Sequence, residues 1–575
     1  MKLLFAFLFC LSPFKSFSQS NNEISDSTNI PDVGWNKVLM MRNGNTLLFH
    51  LELRKQIAIK VFDKTRKEIA SLSYGPKKMS VNNLDETIVR GIYDINGEAV
   101  LFFEQAVDNR MSLVRIRVDA STGKVIDEVV ALQSESFTNK TTFHVIKQKN
   151  VDSYAVFCFR YNIIMHPESK HELAEFNEKH EVYNTIPIPV NNKDFKYTAF
   201  LGARFDNNGG ICMGIYLSNV DVTSTRAPSA WDNSPTIFNK YLLACYKPKN
   251  INILLSKMVQ MPNEVYPDYT LNSYNRFASN INVLMLDSRP GYFLNGVQTN
   301  YIIDRFPLFI TINDADMQVH SKWLIYDSVN AIIKQSDTGK HFTGVPLKIF
   351  TNENGLTTVV YEEYAFFQTI ENGFNYPHTK LGNIAISQLD DDGNELWAGV
   401  LPKSQVLDDF FNGRDIANRD EEKMLFRTAN IYAENTSYTG GTSRIPGYNV
   451  TKRTAVNPSM RKQRYSDQLA SINCYNNRNN FYFFYNDYAK NFNNTIAKPG
   501  DTVSKYELTD AFYYKMDRKR ELKKNFLFGP SAENESRSVF LESADFDEKT
   551  NTYAALMFHR KGDAYTMHVA WCHLD

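Results

Sequence analysis

The sequence predicts an all-β protein: a single β-propeller of about eight four-stranded antiparallel blades, with seven blades as the alternative. The first observation is a unit that recurs eight times, in which two apolar strands flank a short turn rich in Gly, Asn or Asp. Repetition of a small strand unit is typical of propellers. The second is composition, because aromatic residues make up 13% of the 575 residues and favour sheets.

Each of the eight turns is expected to join the two inner strands of one blade. They are Asn43-Gly44, Asn96-Gly97, Asn150-Val151-Asp152, Asn207-Asn208-Gly209, Arg289-Pro290-Gly291, Asn354-Gly355, Asn476-Asn477-Arg478-Asn479 and Asp547-Glu548-Lys549.

Residues 1–18 are expected to be a secretory signal peptide. Lys2 precedes an apolar run at 3–11, and small residues at Ser16 and Ser18 suit cleavage before Gln19. This run is too short to span a bilayer, and no later segment has 18 uninterrupted apolar residues. We therefore expect an exported chain without a transmembrane segment, in the periplasm or at the outer-membrane surface of a Gram-negative bacterium.

Charge argues against a nucleic-acid partner. The chain has 64 basic and 64 acidic residues, and loss of Lys2 and Lys15 with the signal would leave a net charge of −2. Such a balance gives no general attraction to nucleic acid or to an anionic membrane.

The first two blades can be followed strand by strand. Blade one is predicted at 38–41, 46–53, 56–62 and 68–74, and blade two at 89–94, 99–105, 112–118 and 125–132. Turns at 63–66 and 119–123 join their outer strands, and residues 390–394 repeat that turn in blade six.

The eighth unit has three predicted strands, at 538–546, 552–559 and 565–572. A ring that lacks an outer strand exposes sheet edges. We therefore expect residues 24–34, within an N-terminal segment 19–34, to supply the missing strand. The propeller itself is assigned to residues 35–575.

The blade pattern, above all Leu389-Asp390-Asp391-Asp392-Gly393-Asn394-Glu395-Leu396-Trp397, resembles secreted bacterial β-propellers of the broad PQQ/WD40-like type. The resemblance covers most of residues 35–575 and implies the fold. A Trp-Asp dipeptide does not end each blade, and five Trp are too few for the docking pattern of PQQ-dependent dehydrogenases.

The long insertions all fall between strands two and three of a blade, or between consecutive blades. They are residues 218–240, 262–279, 365–380, 402–466 (with 406–465 as the long loop insertion) and 488–506. These connections open on one face of a propeller, and repeat proteins bind partners through the face that carries insertions.

Aromatic residues in these insertions are the candidates for binding a protein or a sugar ring. They are Trp231, Tyr266, Tyr269, Tyr274, Phe374, Tyr376, Phe410, Phe411, Tyr432, Tyr438, Tyr448 and Phe492. The alternative is that they pack the loops onto the ring.

No catalytic residue, cofactor or metal is assigned. The sequence contains no GxSxG, GxxxxGK[ST], HExxH or GxGxxG. Carboxylates on the loop face could act as a glycosidase pair, which is the basis of an enzyme alternative. They are Asp268, Asp408, Asp409, Asp415, Asp487, Glu362 and Glu363.

Two groups of residues resemble metal ligands without completing a site. The acidic turn 390–394 lacks the downstream Glu of a calcium loop, so we interpret it as a hairpin. His166, His171 and His180 are expected to be exposed histidines. His568 and His573 lie in a strand whose residues alternate between faces.

Cysteines and short motifs suggest two modifications. Cys212 and Cys245 lie on consecutive predicted strands and could form a disulfide in an oxidising compartment, while the other cysteines are expected in buried strands. Ser27, Ser328 and Thr502 follow an Asp and resemble O-glycosylation acceptors of Gram-negative envelope proteins.

The sequence thus favours a non-enzymatic binding module of the bacterial cell envelope, whose partner is an outer-membrane protein complex or a glycan. The alternative is a carbohydrate-active enzyme, of glycosidase or lyase type, with carboxylates in the central funnel.

Overall fold

A computed structural model describes residues 22–28, 35–51, 56–79, 88–134, 141–147, 151–160, 171–188, 197–205, 211–218, 239–246, 254–260, 267–275, 280–287, 307–313, 318–335, 342, 344–351, 355–371, 374–407, 469, 471–477 and 480–574. In this part of the chain, antiparallel strands form eight sheets of four or five strands. The predicted all-β propeller of about eight four-stranded blades is confirmed.

Each of the first four blades takes its strands in chain order from the centre outward. They contain β2–β5 (Trp35–Met40, Thr46–Leu51, Ile57–Phe62, Glu68–Tyr74), β6–β9 (Ile88–Ile95, Glu98–Val107, Arg110–Asp119, Val125–Gln133), β10–β13 (Thr141–Lys147, Tyr154–Arg160, His171–Phe176, Val182–Ile188) and β14–β17 (Tyr197–Phe205, Ile211–Ser218, Asn239–Tyr246, Leu254–Gln260).

The next three blades follow the same order, with one strand added to blade six. They contain β18–β21 (Pro267–Asn275, Asn280–Asp287, Pro307–Asn313, Val319–Trp323), β22–β25 (Gly344–Thr351, Thr357–Glu371, Phe374–Leu389, Glu395–Leu401) with β26 (Gln405–Leu407), and β27–β30 (Asn473–Asn477, Asn480–Asp487, Asp510–Met516, Leu522–Phe526). Helix α1 (Asp327–Lys334) lies between blades five and six. None of the described helices could span a bilayer.

Blade eight joins the two ends of the chain. It contains β31 (Glu535–Val539), β32 (Asp545–Asp547), β33 (Thr552–Lys561), β34 (Ala564–His573) and, as its outer strand, β1 (Asn22–Ile24). Beyond β1, the amide of Ser25 donates to Val569 O (2.9 Å) and that of Thr28 to Met567 O (2.7 Å). The ring is closed by residues 22–28, earlier than the expected 24–34.

Apolar side chains fill the space between neighbouring blades. Phe49 and Leu101 are fully buried between blades one and two, and Phe484 packs on Tyr553 between blades seven and eight. Middle strands such as β3 are buried along their whole length, whereas outer strands such as β5 are mostly exposed or half-buried. A central strand is covered on both faces by adjacent blades, which explains its continuous apolar sequence.

Three boundaries differ from the sequence expectations. Arg289-Pro290-Gly291 follows β19 and falls between strands two and three of blade five, outside the described residues. Half of the supposed insertion 262–279 is strand β18, whose sequence PDYTLNSYN is too polar to have indicated a strand. The strand predicted at 538–546 is broken, because a 3₁₀ turn at Leu541–Ser543 separates β31 from β32.

Candidate functional site

The connections of the ring divide between two faces. Turns between strands one and two, and between three and four, of each blade open on the short-turn face. The remaining connections open on the long-loop face, which carries helix α1, two 3₁₀ turns (Ala489–Asn493 and Tyr506–Leu508) and an extension of blade six. This extension is the largest described feature of the long-loop face.

The extension is a two-stranded hairpin, here called the arm (residues 364–371 and 374–381). Inside blade six, β22 pairs with β23 only as far as Glu363, and β25 pairs with β24 only from Ile384. Beyond these limits β23 and β24 continue as eight pairs, from Tyr364–Leu381 to Glu371–Phe374. At about 3.3 Å per residue the arm is roughly 25 Å long. The insertion predicted at 365–380 is therefore strand, not loop.

A proline lies beside the third strand at the base of the arm. β26 pairs with β24 at residues 379–381. Pro377 stands opposite Gln368, and a residue without an N–H cannot belong to a mutually hydrogen-bonded pair, so its nitrogen points away from β23. The edge that β26 occupies therefore lacks a donor at Pro377, two residues beyond its pair at Thr379.

A buried polar network, here called the root (Glu362, Lys403, Gln405, Ser471 and Asn486), holds the base of the arm. Lys403 Nζ lies 2.5 Å from Glu362 Oε1, and both side chains are 1% exposed. Ser471 Oγ donates to Glu362 Oε2 at 2.6 Å. The root thus connects β23 to the chain on both sides of residues 408–468.

Gln405 binds the two ends of that segment together. Its Oε1 accepts the amide of Ser471 (2.9 Å), and its Nε2 donates to Asn486 O (2.8 Å). Leu407 and Leu469 are buried in one apolar cluster. The amide of Val406 donates a hydrogen bond to Val503 O at 2.8 Å. The described chain therefore ends at Leu407 and resumes at Leu469 in one buried cluster.

Burial changes the pKa values of charged groups near the root. Burial lowers the pKa of Lys403 although Glu362 opposes the shift. Burial raises the pKa of Asp487, which the hydrogen bond from Asn491 partly offsets. Asp487 Oδ1 accepts the Tyr488 amide (2.8 Å) and Asn491 Nδ2 (2.7 Å). Glu363 is also buried and accepts the Asn383 amide at 2.8 Å. The carboxylates of Glu362, Glu363 and Asp487 are therefore engaged in hydrogen bonds inside the protein.

Phe492 and Lys524 fix the loop that follows β28. The ring of Phe492 stacks on Phe526, with centroids 4.6 Å apart. Lys524 Nζ lies 4.9 Å from the Phe512 ring and donates to Asn491 O at 2.8 Å. Burial lowers the pKa of Lys524 to about 8. For Phe492 the placement favours loop packing over partner binding.

The other predicted binding residues have different positions. Phe374 and Tyr376 lie in the arm, whereas Tyr269 and Tyr274 lie in β18, the inner strand of blade five, rather than in a loop. The remaining candidates lie outside the described residues: Trp231, Tyr266, Phe410, Phe411, Tyr432, Tyr438 and Tyr448. So do Asp408, Asp409 and Asp415, while Asp268 is in β18.

The short-turn face is cross-linked from blade to blade. Arg42 bonds Asp94 with its Nε (2.9 Å) and Asp152 with both terminal nitrogens (3.0 and 2.5 Å), which joins blades one, two and three. A similar contact joins blades eight and one, because Asp545 accepts a hydrogen bond from the amide of Met40 at 2.8 Å. On this face the described contacts therefore join blades eight, one, two and three.

At an outer turn of this face, the carboxylate of Asp390 also accepts hydrogen bonds from within the protein. Asp390 Oδ1 accepts the amides of Asp392 (3.0 Å) and Asn394 (2.8 Å), and its Oδ2 accepts Asn394 Nδ2 (2.8 Å). The hairpin interpretation of 390–394 fits these contacts. Among the described residues no three His, Cys, Asp or Glu side chains lie close enough to hold a metal ion.

His171 and His180 are buried, so the expectation of exposed side chains is wrong for both. His171 stacks on Phe159 with ring centroids 4.6 Å apart. His180 lies in the turn after β12 beside Tyr154, and burial lowers its pKa to about 4. A flat ring can pack in a core once its nitrogens are neutral. His166 lies outside the described residues.

Cysteine positions agree in part with the sequence expectations. Cys158, Cys474 and Cys572 are buried thiols. Cys212 and Cys245 are directly opposite in the pairing of β15 with β16. Their disulfide stays a prediction, which intact mass before and after reduction can test.

The three predicted glycosylation acceptors differ in their surroundings. Ser27 is exposed just after β1, and Thr502 is exposed on the long-loop face, with its hydroxyl 2.8 Å from Ser404 Oγ. Ser328 is half-buried in the first turn of α1, and its amide donates to Glu395. All three stay predictions.

Lys403, Gln405 and Ser471 were not anticipated. Their partners lie far away in sequence, 41 residues from Lys403 to Glu362 and 109 from Ser471 to Glu362. No local pattern signals such contacts. The dipeptide Asn372-Gly373, a sequence that type I′ hairpin turns favour, could have revealed the arm.

Comparison with known proteins shows likeness in structure only. No protein-family model matches, and no curated protein sequence is similar. Similar solved structures include prolyl oligopeptidase B from Galerina marginata (9% identity, TM-score 0.38, 92% of this chain and 55% of that one), the WD40 domain of SCAP from fission yeast (7%, 0.33, 96% and 98%) and an ulvan lyase from a new family of polysaccharide lyases (10%, 0.32, 65% and 80%). The chain spans about half the length of the peptidase.

Proposed function

We propose that this protein is an exported β-propeller that acts as a binding module of the bacterial cell envelope, and that its long-loop face engages a protein complex or a glycan. The asymmetry between the two faces carries the proposal. The long-loop face presents the arm and both ends of residues 408–468, all anchored in the root. On the short-turn face, short turns are bonded to one another, as Arg42 is to Asp94 and Asp152. Recognition elements held on a rigid scaffold are typical of binding faces.

The enzyme alternative has less support. A glycosidase needs two carboxyl groups that reach the substrate. Glu362, Glu363 and Asp487 are at most 7% exposed and engaged within the protein. Turnover on a polysaccharide panel that is abolished by Asp408→Asn or Asp409→Asn would favour this alternative.

The test is affinity purification of the tagged protein from gently solubilised envelopes, with mass spectrometry of what co-purifies. The informative deletion removes 409–467, because a deletion of 406–465 would also remove Val406 and Leu407 from the base of the arm. We expect a partner to be retained by the intact protein and lost by the deletion. The matched control, Ile69→Ser with Ile126→Ser, changes exposed residues of outer strands and should retain the partner. Equal recovery with the deletion would contradict the proposal.

Export is tested separately by the mass of the protein recovered from the periplasm or cell surface. Removal of residues 1–18 and a start at Gln19 are expected. Full-length protein recovered from the cytoplasm would contradict export without bearing on the binding face.

A further inference from the structure

The outer turns of blades six and seven, which join strands three and four of each blade, have the same geometry. Asp390 and Asp517 each accept the amides of the residues two and four places later, at 2.8–3.0 Å. The third residue after each aspartate has a positive φ, 76° in blade six and 67° in blade seven. Residues 391–392 and 518–519 therefore stand at equivalent positions, at the tips of the two turns.

The two tips carry opposite charge. Blade six has Asp391 and Asp392 at its tip, and blade seven has Arg518 and Lys519. All four residues are exposed.

The difference in charge extends along the outer strands of the two blades. Residues 388–401 contain four acidic and no basic residues, whereas residues 515–524 contain six basic and two acidic ones. The two turns are neighbours, because Arg520 Nε donates to Gln388 Oε1 at 2.8 Å. An acidic and a basic surface thus lie side by side on the circumference of the ring.

Blades one and three show that this turn does not itself require such charges. The same turn follows Asp63 and Asn177, with Lys64-Thr65 and Glu178-Lys179 at its tip. Neither of these tips has two charges of one sign. The charge pairs of blades six and seven are therefore not needed to form the turn.

We propose that these two turns form the contact between two copies of the chain, which lie side by side about a two-fold axis parallel to the axis of the ring. An axis that passes between the turns sets the acidic tip of each copy against the basic tip of the other. Opposite charges across an interface favour this register, and like charges disfavour displaced ones. Use of the same patch by both copies closes the interface on itself. Leu396, which is 50% exposed beside the acidic turn, adds apolar area to the contact.

The long-loop faces of both copies point in the same direction in this dimer, because rotation about an axis parallel to that of the ring leaves this direction unchanged. The inference goes beyond the proposed function, because it concerns the purified protein without any envelope partner.

The first experiment is sedimentation equilibrium of the purified protein over about 1–100 µM. We expect a reversible dimer in about 20 mM salt, and in about 500 mM salt its dissociation constant should rise by about tenfold or more, because salt screens exposed charges. A protein that is monomeric at low salt overturns the proposal, as does a dimer whose affinity is the same at both salt concentrations.

Reversal of charge tests which residues meet. Asp391→Lys with Asp392→Lys makes both tips basic, and Arg518→Glu with Lys519→Glu makes both tips acidic. Each double variant should fail to dimerise alone, because like charges then face each other. An equimolar mixture of the two should form the dimer, because every basic tip then faces an acidic one. The aspartates that hold the turns are unchanged in both variants.

The matched control is Lys64→Glu, at the tip of the equivalent turn of blade one, and this variant should dimerise like the native chain. Unchanged circular dichroism shows that each variant is folded. Double variants that dimerise alone, or a mixture of the two that stays monomeric, overturn the proposal.

Discussion

Trp571 donates its indole N–H to the hydroxyl of Thr46, 3.0 Å away, across the boundary between blades eight and one. Trp571 is 1% exposed and Thr46 is fully buried. The indole also meets the edge of Phe62, with centroids 5.7 Å apart, and the guanidinium of Arg66 lies over it at 4.9 Å. Core packing and a hydrogen bond therefore reinforce the seam that β1 completes.

Substitution of Trp571 measures the strength of this seam. Trp571→Ala should lower the free energy of unfolding by about 3–5 kcal/mol, because it empties a buried site. Trp571→Phe should lose only about 1–2 kcal/mol, mainly through the donor that Thr46 loses. Urea unfolding gives both values. Glu23→Gln, which removes an exposed ion pair with Arg66, is the control and should change stability by under ~1 kcal/mol. Equal losses for the two Trp571 variants would contradict this account.

The ion pair in the root should behave as a unit. Glu362→Gln leaves the buried Lys403 ammonium without its carboxylate and should destabilise the protein by about 3–5 kcal/mol. Glu362→Gln combined with Lys403→Met should recover most of that loss, since no unpaired charge is left. Thermal unfolding of the two variants provides the comparison. A double variant that is no better than Glu362→Gln would show that the charge is not the cause.

His180 should make the fold sensitive to acid. Its pKa falls from 6.5 to about 4 in the folded protein, chiefly through burial and then through the nearby cations Arg115 and Arg117. Below pH 6.5 the unfolded chain therefore gains a proton that the folded protein does not, so stability is lost as the pH falls from 6.5 towards 4.

His180→Asn isolates this contribution. Residue 180 has a φ of 64°, which Asn tolerates. The variant should lose less stability than the native protein between pH 7 and pH 4.5, as measured by urea unfolding at both values. If the variant and the native protein lose equal stability between the two pH values, other buried groups such as His144 account for the acid response.

The turn at Asp390 should stabilise the fold and should not bind calcium. Asp390→Ala removes three acceptor contacts and should lower the unfolding free energy by about 1–2 kcal/mol. Asp392→Ala, at an exposed position of the same turn, should change it by under ~0.5 kcal/mol. Addition of about 5 mM Ca²⁺ should leave the melting temperature unchanged, since both Asp390 oxygens already accept hydrogen bonds. A rise that Asp390→Ala abolishes would reveal a calcium site.

Local chemistry decides which parts of this fold can be read from sequence. Blades one and two were predictable because Asn43-Gly44 and Asn96-Gly97 separate clearly apolar strands. Blade five was misplaced because β18 is a polar inner strand, and an inner strand of a ring can face the polar centre. The arm was missed because it doubles the usual length of a strand. The root could not be predicted from the sequence, since its contacts join residues that only the folded ring brings together.

The pairing of β1 with β34 also sets how the ring responds to force. Asn22 is the partner of Cys572, at the same end of the ladder, while Ile24 pairs with Ala570 further along. Tension applied between residues 22 and 572 therefore opens the pairs one after another instead of shearing them all at once. Mechanical rupture should begin at this short strand and at low load, although the Trp571 contacts beneath it are among the most buried of the protein. The boundary that the Trp571 contacts stabilise is thus mechanically weak in this direction of force.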